Sequence, residues 1–165
     1  MNRPRASSAF TLIELVLVMV VLTVLLTIAA PSLRGWSRGT KLRDASDQLL
    51  AATRFARSQA VTTGDVYRVE FDVNTSSYRV TSRDGDQFAA VPGEFGRETR
   101  LPSEVRLSVA REDGGAGSAI EFHPSGRTTP ARISLAADWG ETFDIEATTA
   151  AEPFRLVSGA PEATR

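Results

Sequence analysis

The sequence predicts an α+β protein: a long N-terminal helix, its first half transmembrane, packed on an antiparallel β-sheet head of about seven short strands. Three features carry this expectation. Residues 10–30, FTLIELVLVMVVLTVLLTIAA, are almost wholly apolar. Residues 33–63 then repeat small and apolar side chains at helical spacing. From residue 67 the pattern switches to period two and is punctuated by Gly, Pro, Asn and Asp.

Residues 1–9 form a short basic leader carrying Arg3 and Arg5. Residues 10–31 form the next element, read as a transmembrane and assembly helix. From Leu15 to Ala30 its only polar groups are the hydroxyls of Thr23 and Thr27. As a helix the run 10–30 is about 31 Å long, close to the roughly 30 Å of bilayer hydrocarbon. A conventional secretory signal cut between Ala29 and Ala30 would discard it. Two features argue against that. The run is longer than an ordinary signal, and Glu14 places an ionised group one turn from its start, which is costly in lipid unless paired.

Residues 32–63 read as the soluble part of the same helix. Leu42, Ala45, Leu49, Ala52, Ala56 and Ala60 fall on one face of a 3.6-residue period. Arg43, Asp44, Asp47, Arg54 and Arg57 lie mostly off that stripe. Alanines there permit close approach of a sheet. Pro31 lacks an N–H and is expected to kink or loosen the helix. Gly35 and Gly39 weaken it just beyond, and Gly64 is the expected stop.

Residues 64–157 form the β-rich head. Tyr67, Val69, Phe71 and Val73 alternate with polar residues, as do Tyr78 and Val80, so a hairpin is expected there. Gln87–Val91 is a third strand, and 92–102 reads as a loop. Strands follow at 105–109, 119–122, 132–136, 142–147 and 154–157, separated by turn residues. The cluster from Asp113 to Gly117 is a hairpin loop. Val69, Phe71, Val80, Leu107, Phe122, Ile133 and Ile145 are the expected strand contribution to the core. Residues 158–165 read as a flexible tail.

Composition narrows the function classes. The chain has no cysteine, so it has neither a disulfide framework nor a cysteine metal site. Its formal net charge of −1 hides an asymmetry. Residues 32–63 hold six basic side chains against two acidic, whereas 64–165 hold eleven against seventeen. The basic neck suits anionic headgroups, and the acidic head argues against nucleic acid as a partner. Arg127 and Arg132 are the one small basic patch the head could offer. The neck carries as much positive charge as the leader, so charge alone does not orient the helix. His123 is the single histidine and reads as a turn residue rather than a zinc ligand or a base. Ser125 lacks a nucleophile elbow, and the glycine cluster lacks the Lys-Ser/Thr of a phosphate loop. Trp36 and Trp139 read as anchors, one at the membrane interface and one in the core. No catalytic residue, metal site or cofactor is expected.

The sequence Ser7, Ser8, Ala9, then Phe10, Thr11, Leu12, Ile13 and Glu14, then the apolar run, resembles the type IV prepilin signature. In that family a membrane peptidase cuts before an aromatic residue and methylates the new amino terminus, and a glutamate stands fifth after the cut. The resemblance implies cleavage between Ala9 and Phe10, N-methylation of Phe10, and retention of the helix. Ala9 departs from the usual glycine. Two later stretches, Phe55–Val61 and Ile120–Arg127, are similar to the minor pseudopilin H family of type II secretion, which includes the fimbrial T proteins of type IV pili. That resemblance implies a structural subunit of a pseudopilus rather than an enzyme. It places the protein in the bacterial inner membrane, single-pass, with the head in the periplasm. Its implied partners are the prepilin peptidase, other major and minor pseudopilins, and secreted exoproteins. Glu14 would neutralise the amino terminus of a neighbouring subunit. The alternative within the same superfamily is a minor type IV pilin acting in pilus assembly or DNA uptake.

Overall fold

In the computed structural model the described residues are 11–111 and 118–158; for residues 27–38 and Ser158 only the backbone is described. Ala9, Phe10, the leader, the 113–117 cluster, residues 159–165 and the side chain of Trp36 lie outside the described part. The chain divides into two units, Met1–Arg38 and Gly39–Arg165. One helix, α1, is assigned over Leu12–Thr63.

In the first unit every described side chain from Thr11 to Leu26 is exposed. The large apolar residues among them run from 47 % exposed at Val18 to 81 % at Leu12. Among the described residues no helix is long and apolar enough to cross a membrane. Helix is assigned without a break through Pro31, Gly35 and Gly39.

In the second unit the stripe expected on α1 is buried: Leu42, Leu49, Ala52, Ala56 and Ala60 at 0 % and Ala45 at 5 %. Two polar residues share that face. Ser46 Oγ donates to the Leu42 carbonyl and Thr53 Oγ1 to that of Leu50, both at 2.8 Å, so neither hydroxyl is left unmet. The helix stops at Gly64, which takes φ +81° while its N–H donates to the Ala60 carbonyl. Only glycine enters that left-handed region without steric cost.

Nine strands follow among the described residues, in two antiparallel sheets. The first comprises β1 (Tyr67–Asp72), β2 (Ser77–Asp84), β3 (Gln87–Ala90), β4 (Thr99–Arg100) and β6 (Ala119–Phe122), in the order β3-β2-β1-β6 with β4 also on β2. The second comprises β5 (Val105–Arg111), β7 (Ala131–Ala137), β8 (Thr142–Ala147) and β9 (Arg155–Ser158), in the order β5-β7-β8-β9. The addition to the expected set is β4, inside the stretch read as a loop. Its two residues carry no alternation to detect; they join the sheet because Ser77 pairs with Arg100 and Tyr78 with Thr99.

The seven strand residues expected inside are all buried, and they join the helix stripe in one core cluster. Three expectations shift at the edges. Val73 lies beyond β1 and is 50 % exposed, because Asp72 Oδ1 accepts the N–H groups of Asn74 and Thr75 and turns the chain. Trp139 sits at the rim of the core, only partly buried, with its indole N–H donated to Glu141 Oε2 at 2.9 Å. Ser158, assigned to the tail, closes β9 opposite Phe143.

The segment after β3 locks the first sheet to the helix. Val80 N–H donates to the Phe95 carbonyl, Val91 N–H donates to the Val80 carbonyl, and the Phe95 ring stacks on Phe55 with centroids 4.6 Å apart. A Cβ at Gly96 would fall 1.7 Å from the Val91 carbonyl oxygen, so only glycine permits this approach.

Candidate functional site

At the start of α1, Thr11 is non-helical and Leu12 is the first helical residue. The Thr11 carbonyl accepts the N–H groups of Glu14 and Leu15, each at 3.2 Å. The Glu14 N–H is shared with the Thr11 hydroxyl at 3.3 Å. Glu14 therefore stands at the third helical position, where the positive end of the helix dipole favours a carboxylate. Around it the exposed surface is apolar: Leu12, Ile13, Leu15, Val16 and Leu17 are each at least half exposed. An ionised group at the head of such a helix can meet a cation brought by another molecule.

In the second unit the two stretches singled out in the sequence come together. Phe55–Val61 ends the helix, and Ile120–Arg127 supplies β6 and a tight turn. In that turn Gly126 N–H donates to the His123 carbonyl at 2.8 Å and His123 N–H to that of Arg127 at 2.9 Å. Gly126 takes φ +77°, and a Cβ there would stand 3.7 Å from Val61 Cγ2 and 3.9 Å from Arg57 Nη2. Arg57 reaches over to donate to the Ala151 carbonyl at 2.9 Å. Thr128 N–H donates to the neighbouring Ala150 carbonyl. Helix end, turn and residues 148–151 thus form one surface, on which Val61 is 55 % exposed.

His123 and Ser125 are exposed on that turn, and among the described residues no three His, Cys, Asp or Glu side chains gather as metal ligands. Arg127 is exposed in the turn, whereas Arg132 is held on the second sheet by Glu146 at 3.1 Å and Asp144 at 4.0 Å.

A further cluster is created by strand pairing. On the outer face of the first sheet, Glu70 sits between two guanidinium groups. Arg79 Nη2 lies 2.8 Å from Glu70 Oε2, and Arg68 Nε donates to Oε1 at 2.8 Å. Arg68 also lies 3.7 Å from the centroid of the Phe88 ring, a cation–π contact. Burial pushes the Glu70 carboxyl up, but the hydrogen bonds and charges of Arg79 and Arg68 outweigh it and hold the group below its ordinary value. Nearby, burial first and then the charge of Glu94 push the Tyr78 phenol up to about 12. An open groove of about 450 Å³ runs beside this cluster, lined among others by Asp72, Ser77 and Glu98. The register that sets Glu70 against Arg79 creates the cluster. Sequence spacing carries no trace of that pairing.

Comparison with known proteins places this architecture. The family model described as type II transport protein GspH matches residues 45–151. A prokaryotic N-terminal methylation motif matches residues 4–30. The chain is 30 % identical over 126 residues to the type II secretion system protein H of Xanthomonas campestris pv. campestris, covering 76 % of this chain and 69 % of that protein. Its fold is similar to the minor pseudopilin EpsH of Vibrio cholerae, with TM-score 0.62 at 15 % identity over 72 % of this chain and 97 % of the other. It is also similar to the type IV minor pilin FimU of Pseudomonas aeruginosa, with TM-score 0.56 at 14 % identity over 78 % and 95 % of the two chains.

Proposed function

Because the chain belongs to the GspH family of type II transport proteins, and is therefore a non-enzymatic minor pseudopilin anchored in the inner membrane as a prepilin, we propose a specific course for its processing and assembly. The peptidase cuts between Ala9 and Phe10, and Phe10 becomes the N-methylated first residue. The helix stays in the inner membrane as a single pass with the head in the periplasm. Glu14 then pairs with the amine of Phe10 on an adjacent subunit as the chain enters the pseudopilus. Two opposite charges are tolerable together in a low-dielectric setting and costly apart, so this pair would fix the axial register of neighbouring helices. The head contacts other major and minor pseudopilins, and the exoprotein in transit.

The observation that carries the reading is the union in one chain of a methylation motif at 4–30 with a GspH head at 45–151. Mass spectrometry of the membrane-extracted protein tests the cleavage: the expected amino terminus is methylated Phe10, and an amino terminus at Met1 or Ala30 overturns it. Glu14→Val tests the pairing. Insertion should be unimpaired, since removing a charge from an apolar helix favours insertion, while crosslinking to partner pseudopilins should fall several-fold. Unchanged crosslinking refutes the pair.

The likeness to FimU supports a second reading, a minor type IV pilin that assists pilus assembly or DNA uptake. The family match favours secretion. Gene neighbourhood separates the two, because secretion components beside this gene support the first and pilus components the second.

A further inference from the structure

The acidic residues of the head are unevenly spread. Seventeen follow residue 63, yet no Asp or Glu stands between Asp47 and Asp65, between Glu121 and Asp138, or between Glu146 and Glu152. The fold brings parts of these three stretches to one surface: the end of α1, the 123–127 turn and residues 148–151. Arg54 and Arg57 lie one turn apart on the helix, and Val61 continues the same stripe. Arg57 Nη2 donates to the Ala151 carbonyl at 2.9 Å, and a Cβ at Gly126 would stand 3.9 Å from it. Arg127, the next residue, enters the same surface from the turn. Arg54, Arg127, Val61 and Ala151 are exposed there. Among the described residues none of Arg54, Arg57 and Arg127 has a carboxylate within ion-pair reach.

We propose that this surface docks an acidic patch of a neighbouring pseudopilin, with carboxylates on Arg54, Arg57 and Arg127 and a small apolar side chain over Val61. The inference rests on the assembly with other pseudopilins proposed above. Arginine offers carboxylates two parallel donors, so each ion pair fixes direction as well as charge. Arg57 spends one donor on the Ala151 carbonyl, which holds its guanidinium in place before a partner arrives. Val61, 55 % exposed, supplies the apolar centre that such a contact needs inside its polar rim. The acidic remainder of the head repels the same partner elsewhere and so orients the encounter. Duplex DNA fits this surface less well. Its phosphates extend along the duplex, bring charge up to the acidic remainder of the head, and leave the apolar centre without a partner.

The test is site-directed crosslinking of the full chain in membranes that hold the pseudopilins of its own system. The chain has no cysteine, so Ser58→Cys, exposed beside Arg54 and Val61, carries a photoreactive maleimide at one place only. Asn74→Cys, exposed in the turn after β1, is the comparison. The label at position 58 should join a pseudopilin through a peptide that contains Asp or Glu. Arg54→Glu with Arg127→Glu should lower that adduct about tenfold, since like charges then face each other, and leave any adduct from position 74 unchanged. Arg57 stays native, because it holds the Ala151 carbonyl. Arg54→Lys with Arg127→Lys keeps the charge and should stay within about threefold. A position-58 adduct unmoved by the double reversal overturns the docking surface, as does one whose peptide has no carboxylate. Pseudopilin adducts from position 74 alone overturn the surface and leave the assembly reading standing. No pseudopilin adduct from either position overturns both. Micromolar binding of duplex DNA that the double reversal abolishes assigns the surface to nucleic acid and overturns the proposal.

Discussion

Glu70 shows how far a side chain's behaviour is set by neighbours remote in sequence. Its carboxylate is bound by Arg68 and Arg79, and its folded pKa lies below the ordinary 4.5. The proton is therefore held more tightly by the unfolded chain. The stabilisation is complete above the ordinary carboxylate value and is lost as pH falls through the lower folded value. We predict that the melting temperature drops as pH is lowered from about 5 toward 3, and that Glu70→Gln flattens this drop by removing the titrating group. A slope unchanged by Glu70→Gln assigns the acid sensitivity elsewhere. Glu14 is the opposite case. It is legible in the sequence because a charge inside an apolar run needs a reason. Glu70 was not legible, since an arginine nine residues away becomes its partner only through strand register.

At the scale of elements, α1 between Gly39 and Thr63 was the most readable part of the chain, because burial of one face imposes a period that survives in the sequence. Alanine on that face lets the strands approach, so enlargement there is penalised. We predict that Ala52→Leu, at a position fully buried, destabilises the protein by about 1–3 kcal/mol. Ala51→Leu, one residue along and exposed, should change stability by less than about 0.5 kcal/mol. Urea midpoints of the two variants check this, with an unchanged m-value showing that both report stability alone. Equal effects would mean that the buried face was assigned wrongly. The longer strands were readable for the same reason at period two. β4 was not, since a two-residue strand has no period and exists only through its partner. The Phe55–Phe95 stack and the close approach at Gly96 were hidden likewise, being properties of a meeting between elements.

For the whole molecule, the decisive quantity is where charge is spent. Arg68, Arg79, Arg100, Arg106 and Arg132 are each held by a carboxylate of the head. Duplex DNA binding draws on guanidinium and ammonium groups available to phosphates. We predict that the full chain in detergent binds duplex DNA no more tightly than roughly 10⁻⁴ M at physiological salt. Micromolar binding that weakens steeply with salt, and is lost in Arg127→Ala, would favour the pilin reading instead. A last consequence follows from the abrupt end of α1 at Gly64, three residues before β1 begins. The helix and the strand it feeds lie in one core, and that core runs from Leu42 to Ala60 along the helix. A tensile load entering at Gly39 along the helix axis would act in shear, on every buried layer of that stripe at once. A load at right angles would peel the layers one by one. Mechanical resistance set by an unfolding rate should thus be anisotropic, highest along the helix axis.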